Sequence, residues 1–158
     1  MILRFKQRLF SWLDSYDVYD EFDNVYFRVE GKLSFGHEFH VYDKNDNYVA
    51  KLKQGLFTLL PKFHIYDSND NKVGTITKEF TFFKPSFTID MNGWSIDGNL
   101  FEWDYSIFDG EEEIATITKE LFHFTDHYAI NVRERDALNA LLVVLAIDAV
   151  KCKKERSR

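Results

Sequence analysis

Two stretches of this chain nearly repeat each other, and that repetition constrains the fold more than any other feature. "FHVYDKNDNYVAKL" (Phe39–Leu52) recurs as "FHIYDSNDNKVGTI" (Phe63–Ile76), and "YSIFDGEEEIATI" (Tyr105–Ile117) is a looser copy. The matching continues from "ITKEFTFFKPSFTID" at Ile76 to "ITKELFHFTDHYAIN" at Ile117. A repeat fixes the unit of construction before any element is assigned. Each unit reads as a β-hairpin. In the second copy Phe63, Ile65, Val73 and Ile76 flank "DSNDN". Asp and Asn bond their own backbone and tolerate left-handed conformations, so that cluster is turn chemistry. Alternation puts Phe63 and Ile65 on one face of a strand, and His64 and Tyr66 on the other.

Extended along the chain, this reading predicts twelve strands near 3–10, 15–19, 25–35, 38–43, 47–57, 62–67, 72–82, 86–90, 94–101, 104–108, 113–122 and 127–132. The links are too short for parallel crossovers, so the strands form an antiparallel meander. A sheet that long curls, and closing it into a barrel removes its exposed edges. The expected fold is mainly β: a twelve-stranded antiparallel closed barrel.

A barrel of that size needs a filling. "DALNALLVVLAIDAV" (Asp136–Val150) supplies one. Asp136 is placed to cap a helix over 137–150 that is apolar nearly all round, so it belongs in a core or in a membrane. About 14 residues span roughly 21 Å, short of the ~30 Å hydrocarbon layer. Asn139 and Asp148 fall within the run, and an Asp near lipid costs a few kcal/mol. A strand of five to eight residues is about 17–27 Å long, matching the helix. The helix is therefore expected at the centre of a single domain over 1–150, with 151–158 as a basic tail.

The "Y-D-x-N-x-N-x-V" hairpins, "KEFTFFKPSFTID" and the closing "LLVVLAIDAV" resemble the LURP-one-related family, in particular its bacterial YxjI-like members. The resemblance covers essentially the whole chain. It implies a Tubby C-terminal-like barrel of twelve strands around a central hydrophobic helix, a fold shared with phospholipid scramblases. Tubby domains bind phosphoinositides and scramblases act on lipid, so the resemblance implies lipid as a partner class. It carries over no site residues: no basic cluster in the body matches a phosphoinositide site, and the Pro- and Cys-rich scramblase leader is missing.

Read residue by residue, no catalytic, cofactor or metal site is expected. Asp43, Asn45 and Asn47, like Asp67, Asn69 and Asn71, match the first ligand positions of a calcium loop. The required Gly, however, is Tyr48 or Lys72, and the closing Glu is Gln54 or Lys78. His37 and His40 point to opposite faces of a strand, and His123 and His127 lie about 13 Å apart along one. His40 and His64 share a repeat position and should face outward. Asp17, Asp20, Glu21 and Asp23 read as a solvated turn. Trp12, Trp94 and Trp103 read as barrel packing. Cys152 is the only cysteine, which fits a reducing cytoplasm and has no base beside it in sequence. The net charge of −6 disfavours nucleic acid. No P-loop, G-x-S-x-G or G-x-G-x-x-G occurs.

The expectation is a non-enzymatic, cytoplasmic interaction module whose partner is anionic phospholipid or another protein, with peripheral membrane contact. A second expectation is a scramblase-like protein whose helix inserts in a membrane, motivated by five Lys or Arg in "KCKKERSR" directly after the apolar run.

Overall fold

A computed structural model describes residues 1–6, 15–122 and 125–157. Twelve strands form one antiparallel sheet: β1 (Ile2–Lys6), β2 (Ser15–Tyr19), β3 (Val25–Gly31), β4 (Glu38–Asp43), β5 (Tyr48–Gln54), β6 (Lys62–Asp67), β7 (Lys72–Lys78), β8 (Phe87–Asp90), β9 (Trp94–Asn99), β10 (Asp104–Asp109), β11 (Glu112–Phe122) and β12 (Thr125–Val132). Every expected strand is present. Several stop early, because the apolar residues that extended them in sequence (Leu33, Phe35, Leu56, Phe57, Phe80, Phe82) lie in connections instead. Trp12 and His123 fall outside the described residues.

β1 pairs with β12, which wraps the meander into a barrel ordered β8-β7-β6-β5-β4-β3-β2-β1-β12-β11-β10-β9. Among the described residues every pair of neighbouring strands round the wall is laddered except β8 and β9. β8 is laddered only to β7, and β9 only to β10. The barrel is thus nearly closed, with the seam between β8 and β9.

Helix α1 (Ala137–Arg156) runs through the middle, entered by a short 3-10 helix at Glu134–Asp136. Leu141 to Leu145 are consecutive and all at most 3% exposed. Successive residues are 100° apart round a helix, so this run is covered on every side. The filling is supplied by inward strand residues such as Leu3, Leu52, Ile65, Ile76, Ile107 and Ile130. The helix outlasts the expected 137–150: it continues to Arg156, past the buried Val150. Asp136 does not stand as an extended N-cap. It closes the 3-10 turn, and its carboxylate accepts a hydrogen bond from Arg133 Nε at 2.7 Å.

The repeat has a physical basis at the turns. In the hairpins β4–β5 and β6–β7 the first Asp accepts hydrogen bonds from two backbone N–H groups, Asn45 and Asn47 for Asp43, and Asn69 and Asn71 for Asp67, at 2.8–3.0 Å. A third copy, weak in sequence, stands at Asp20–Asn24, where Asp20 accepts from the N–H groups of Phe22 and Asn24. Each turn ends on an Asp with positive φ: Asp23, Asp46 and Asp70. Beyond each turn the returning strand carries a β-bulge: Tyr26, Val49 and Val73 are skipped by the pairing in β3, β5 and β7. Val73, a β-former in sequence, is half-exposed, whereas Tyr26 and Val49 pack against the core.

Candidate functional site: the loop end of the barrel

The meander gives the barrel two unlike ends. One carries the tight turns after β2, β4, β6, β8 and β10 together with the start of the helix. The other carries the connections 32–37, 55–61, 79–86 and 100–103.

At the turn end the leading aspartates weighed for metal or acid/base chemistry are consumed by structure. Asp20, Asp43 and Asp67 hold their turns, and those hydrogen bonds keep each carboxyl below its ordinary value. For Asp20 and Asp67 the strongest influence is a backbone N–H, of Asn24 and Asn71; for Asp43 it is the side chain of Asn47. Asp46 and Asp70 bind cations from the neighbouring hairpin. Arg28 reaches Asp46 at 2.7 Å while lying over Tyr42, and Lys51 reaches Asp70 at 2.8 Å while lying over Tyr66. Arg28 and Lys51 occupy the same repeat position, so one device links successive hairpins twice. Tyr48 also donates to Asp70, and burial foremost, then Asp70, pushes its phenol up.

The histidines are dispersed. His40 and His64 sit on the outer wall as expected: His40 Nε2 meets Glu38 at 2.9 Å, and His64 Nδ1 lies 3.4 Å from Thr75 Oγ1. His37 is buried, stacked on Phe39 and tilted against Phe63. His127 lies on β12 opposite Lys6 and Glu120. Among the described residues no group of three His, Cys, Asp or Glu could hold a metal ion. Trp94 and Trp103 are buried, the latter 4.0 Å from the Tyr128 ring.

The loop end differs. Among the described residues every large apolar side chain more than 70% exposed lies there, except Phe22. Phe57, Leu59 and Phe83 are wholly in solvent, and Leu33, Phe35 and Phe82 nearly so. Phe57 also holds a φ of 57°, a conformation unusual for any residue but Gly. A backbone kept in a sparsely populated region to present a bare aromatic is the kind of outlier that marks a working surface. Lys62, at the start of β6, and Lys78, at the end of β7, flank these loops, and Lys84 lies within one. The last turns of α1, with Lys151, Lys153, Lys154 and Arg156 in their sequence, emerge at this end: Val150 and Ser157 share a cleft of about 400 Å³ with Pro61, Lys78, Phe82 and Lys84. A second hollow of about 310 Å³ lies beneath Phe57 and Leu59, bounded by His37 and Gln54.

Sequence reading missed this end because the loop phenylalanines look like strand residues when neighbours alternate with them. The signal available was the excess of aromatics beside the two prolines, Pro61 and Pro85, which no strand interior accommodates.

Comparison with known proteins agrees with the architecture. The chain is 31% identical over 147 residues to the uncharacterized protein YxjI of Bacillus subtilis (strain 168), covering 92% of this chain and 90% of the relative. An X-ray structure of an Arabidopsis thaliana protein superposes with a TM-score of 0.59 at 15% identity, over 93% of this chain and 89% of that one, which shows a shared fold. The sequence profile of the LURP-one-related family matches residues 1–148, and the chain belongs to that family.

Proposed function

We propose that this protein is a non-enzymatic docking module that rests, loop end down, on an anionic membrane surface. The carrying observation is the concentration of bare Phe and Leu side chains on one end of the barrel, beside the lysine-bearing terminus of the helix. Isolated apolar residues on a surface need no explanation, but a rimmed cluster marks an interaction site. Aromatic and leucine tips enter the headgroup boundary, and nearby cations meet anionic lipid, each adding about 1 kcal/mol. The opposite end, with its turn aspartates and Glu111–Glu113, is repelled by the same surface, so docking is oriented. The helix takes no part as a span. It is enclosed by the wall, and no helix among the described residues is long and apolar enough to cross a membrane. The reading places the protein peripherally, on the cytoplasmic face.

Vesicle flotation tests this. Vesicles of phosphatidylglycerol and phosphatidylcholine should carry the protein at low salt and release it as salt rises, while phosphatidylcholine alone should not. Phe57→Ser with Leu59→Ser should abolish binding without lowering the melting temperature, since both side chains are wholly exposed. No flotation on anionic vesicles at low salt would overturn the lipid reading and leave the loop end to a protein partner.

A further inference from the structure

The seam and the larger cleft coincide. β8 and β9 are joined at the turn end by the tight connection 91–93, where the Trp94 N–H donates to the Met91 carbonyl at 3.2 Å. From there towards the loop end no ladder laces them together. Where the unlaced wall finishes, the connection 79–86 leading into β8 and Phe101 following β9 form the sides of the 400 Å³ cleft. Val150 of the central helix reaches its lining. This is a place where the barrel's apolar filling meets a solvent-open hollow. Phe82, Phe83, Phe101 and Val150 offer it apolar surface, and Lys78 and Lys84 offer it charge.

The two lysines differ in what holds them. Lys78 Nζ donates to the Glu79 carbonyl at 3.4 Å. Lys84 spans the seam to Asp97 on β9, at 3.8 Å, and both side chains are well exposed, 67% and 80%. An exposed pair at that distance contributes little and yields readily to a better anion. Thr81 Oγ1 donates to the Lys84 carbonyl at 2.5 Å, which fixes the short loop that presents the lysine.

We infer that the seam mouth is a binding site for a single anionic amphiphile: one chain laid along Phe101 and Val150, with its anionic head held by Lys84 and Lys78. The volume falls in the range of small-ligand sites, about 300–1,000 Å³. A phosphate or carboxylate head replaces Asp97 as the partner of Lys84, and the chain takes the apolar floor that water covers otherwise. The inference deepens the membrane-docking reading, since it names what the docked end would grip.

Dodecyl phosphate below its micelle concentration is the probe, followed by backbone amide shifts of the full chain. Saturable one-to-one binding is expected, with shifts centred on residues 78–84 and 101. Lys84→Glu should weaken it about tenfold or more, the effect of losing one charge-assisted contact and gaining a repulsion. Phe57→Ser with Leu59→Ser should leave it unchanged while abolishing vesicle flotation. An equal response to inorganic phosphate would show an ion site without a chain, and an equal response to dodecyl maltoside would show unspecific apolar adsorption; either overturns the inference. So does binding indifferent to Lys84→Glu. If vesicles float the protein while dodecyl phosphate leaves these amides unmoved, the seam site is wrong and the docking reading stands. If the probe binds and vesicles do not float the protein, docking alone fails.

Discussion

Truncating the central helix one residue at a time separates an enclosed axle from a helix with a free side. Leu141, Leu142, Val143 and Val144 are all fully buried, and at 100° per residue they sample the whole circumference. Leu→Ala in such a site costs about 2–5 kcal/mol, the transfer free energy of the lost carbons plus the cavity left by incomplete collapse. Val→Ala removes two carbons, about 1.6 kcal/mol of transfer before any cavity cost. Single-domain stability is roughly 0.05–0.15 kcal/mol per residue, so each substitution removes a sizeable share without abolishing the fold. At about 2–4 °C per kcal/mol for a domain of this size, Leu141→Ala and Leu142→Ala should each lower the melting temperature by about 5–15 °C. Urea titration followed by circular dichroism is the assay, with the midpoint falling and the slope unchanged. All four substitutions must destabilise. If one of them is neutral or stabilising, as Ala's high helix propensity makes it on an exposed face, that side of the helix is not against the wall and the axle is refuted.

Three further expectations test the wall. Gly98→Ala should cost at least about 2 kcal/mol, because φ is 126° and a Cβ would sit 2.5 Å from the Asp104 carbonyl oxygen; Gly110→Ala, with a φ of 62° and open space around it, should cost only about 1–2 kcal/mol, and equal losses would contradict the packing of β9 on β10. The carboxyls of Asp20, Asp43 and Asp67 are held below the ordinary 3.8, so their contribution is complete above that pH and disappears as pH falls through their lower folded values. Thermal stability should accordingly drop below about pH 4, and Asp43→Ala combined with Asp67→Ala should flatten that drop while lowering stability at neutral pH. A double-mutant cycle on Lys51 and Tyr66 should return a coupling of about 0.5–1 kcal/mol, and zero coupling would remove the cation–π contact from the hairpin linkage.

The hairpins were legible because their chemistry is local. Asp43 and Asp67 act on N–H groups two and four residues away, so sequence spacing alone encodes the turn. The helix was legible because a run apolar on every face has few places to go. The third turn was harder: Asp20 to Asn24 keeps the Asp, the left-handed Asp23 and the closing Asn, but Phe22 stands where the other copies have Asn45 and Asn69, which hid the match. The seam could not be read at all. Whether β8 and β9 complete the ring depends on how twelve twisted strands distribute their stagger, a property of the whole sheet. The continuation of the helix through Lys151 and Cys152 was missed for a simpler reason: a change from apolar to polar residues ends the apolar run, and a helix does not have to stop there.

The two ends of the barrel follow from one constraint. Every turn-end connection is short, and three of the five are bonded to themselves through a leading aspartate, so that residue is spent on geometry and the shape repeats. The hairpins therefore leave no freedom there for a variable site. The loop-end connections carry no such register. They can lengthen without disturbing the strands, since doubling a loop costs only about 0.6 kcal/mol in closure entropy. In this chain they have filled with Phe57, Leu59, Phe82 and Phe83, side chains left almost wholly in solvent and outside the core. A sequence free to place polar residues at those tips has instead left apolar ones in water, where each weakens solubility and adds nothing to the core. The stabilisation they could provide lies outside the molecule, on whatever covers this end. That is why the test of function begins with serine at Phe57 and Leu59: the substitutions should leave the fold intact and remove only what the loops are for.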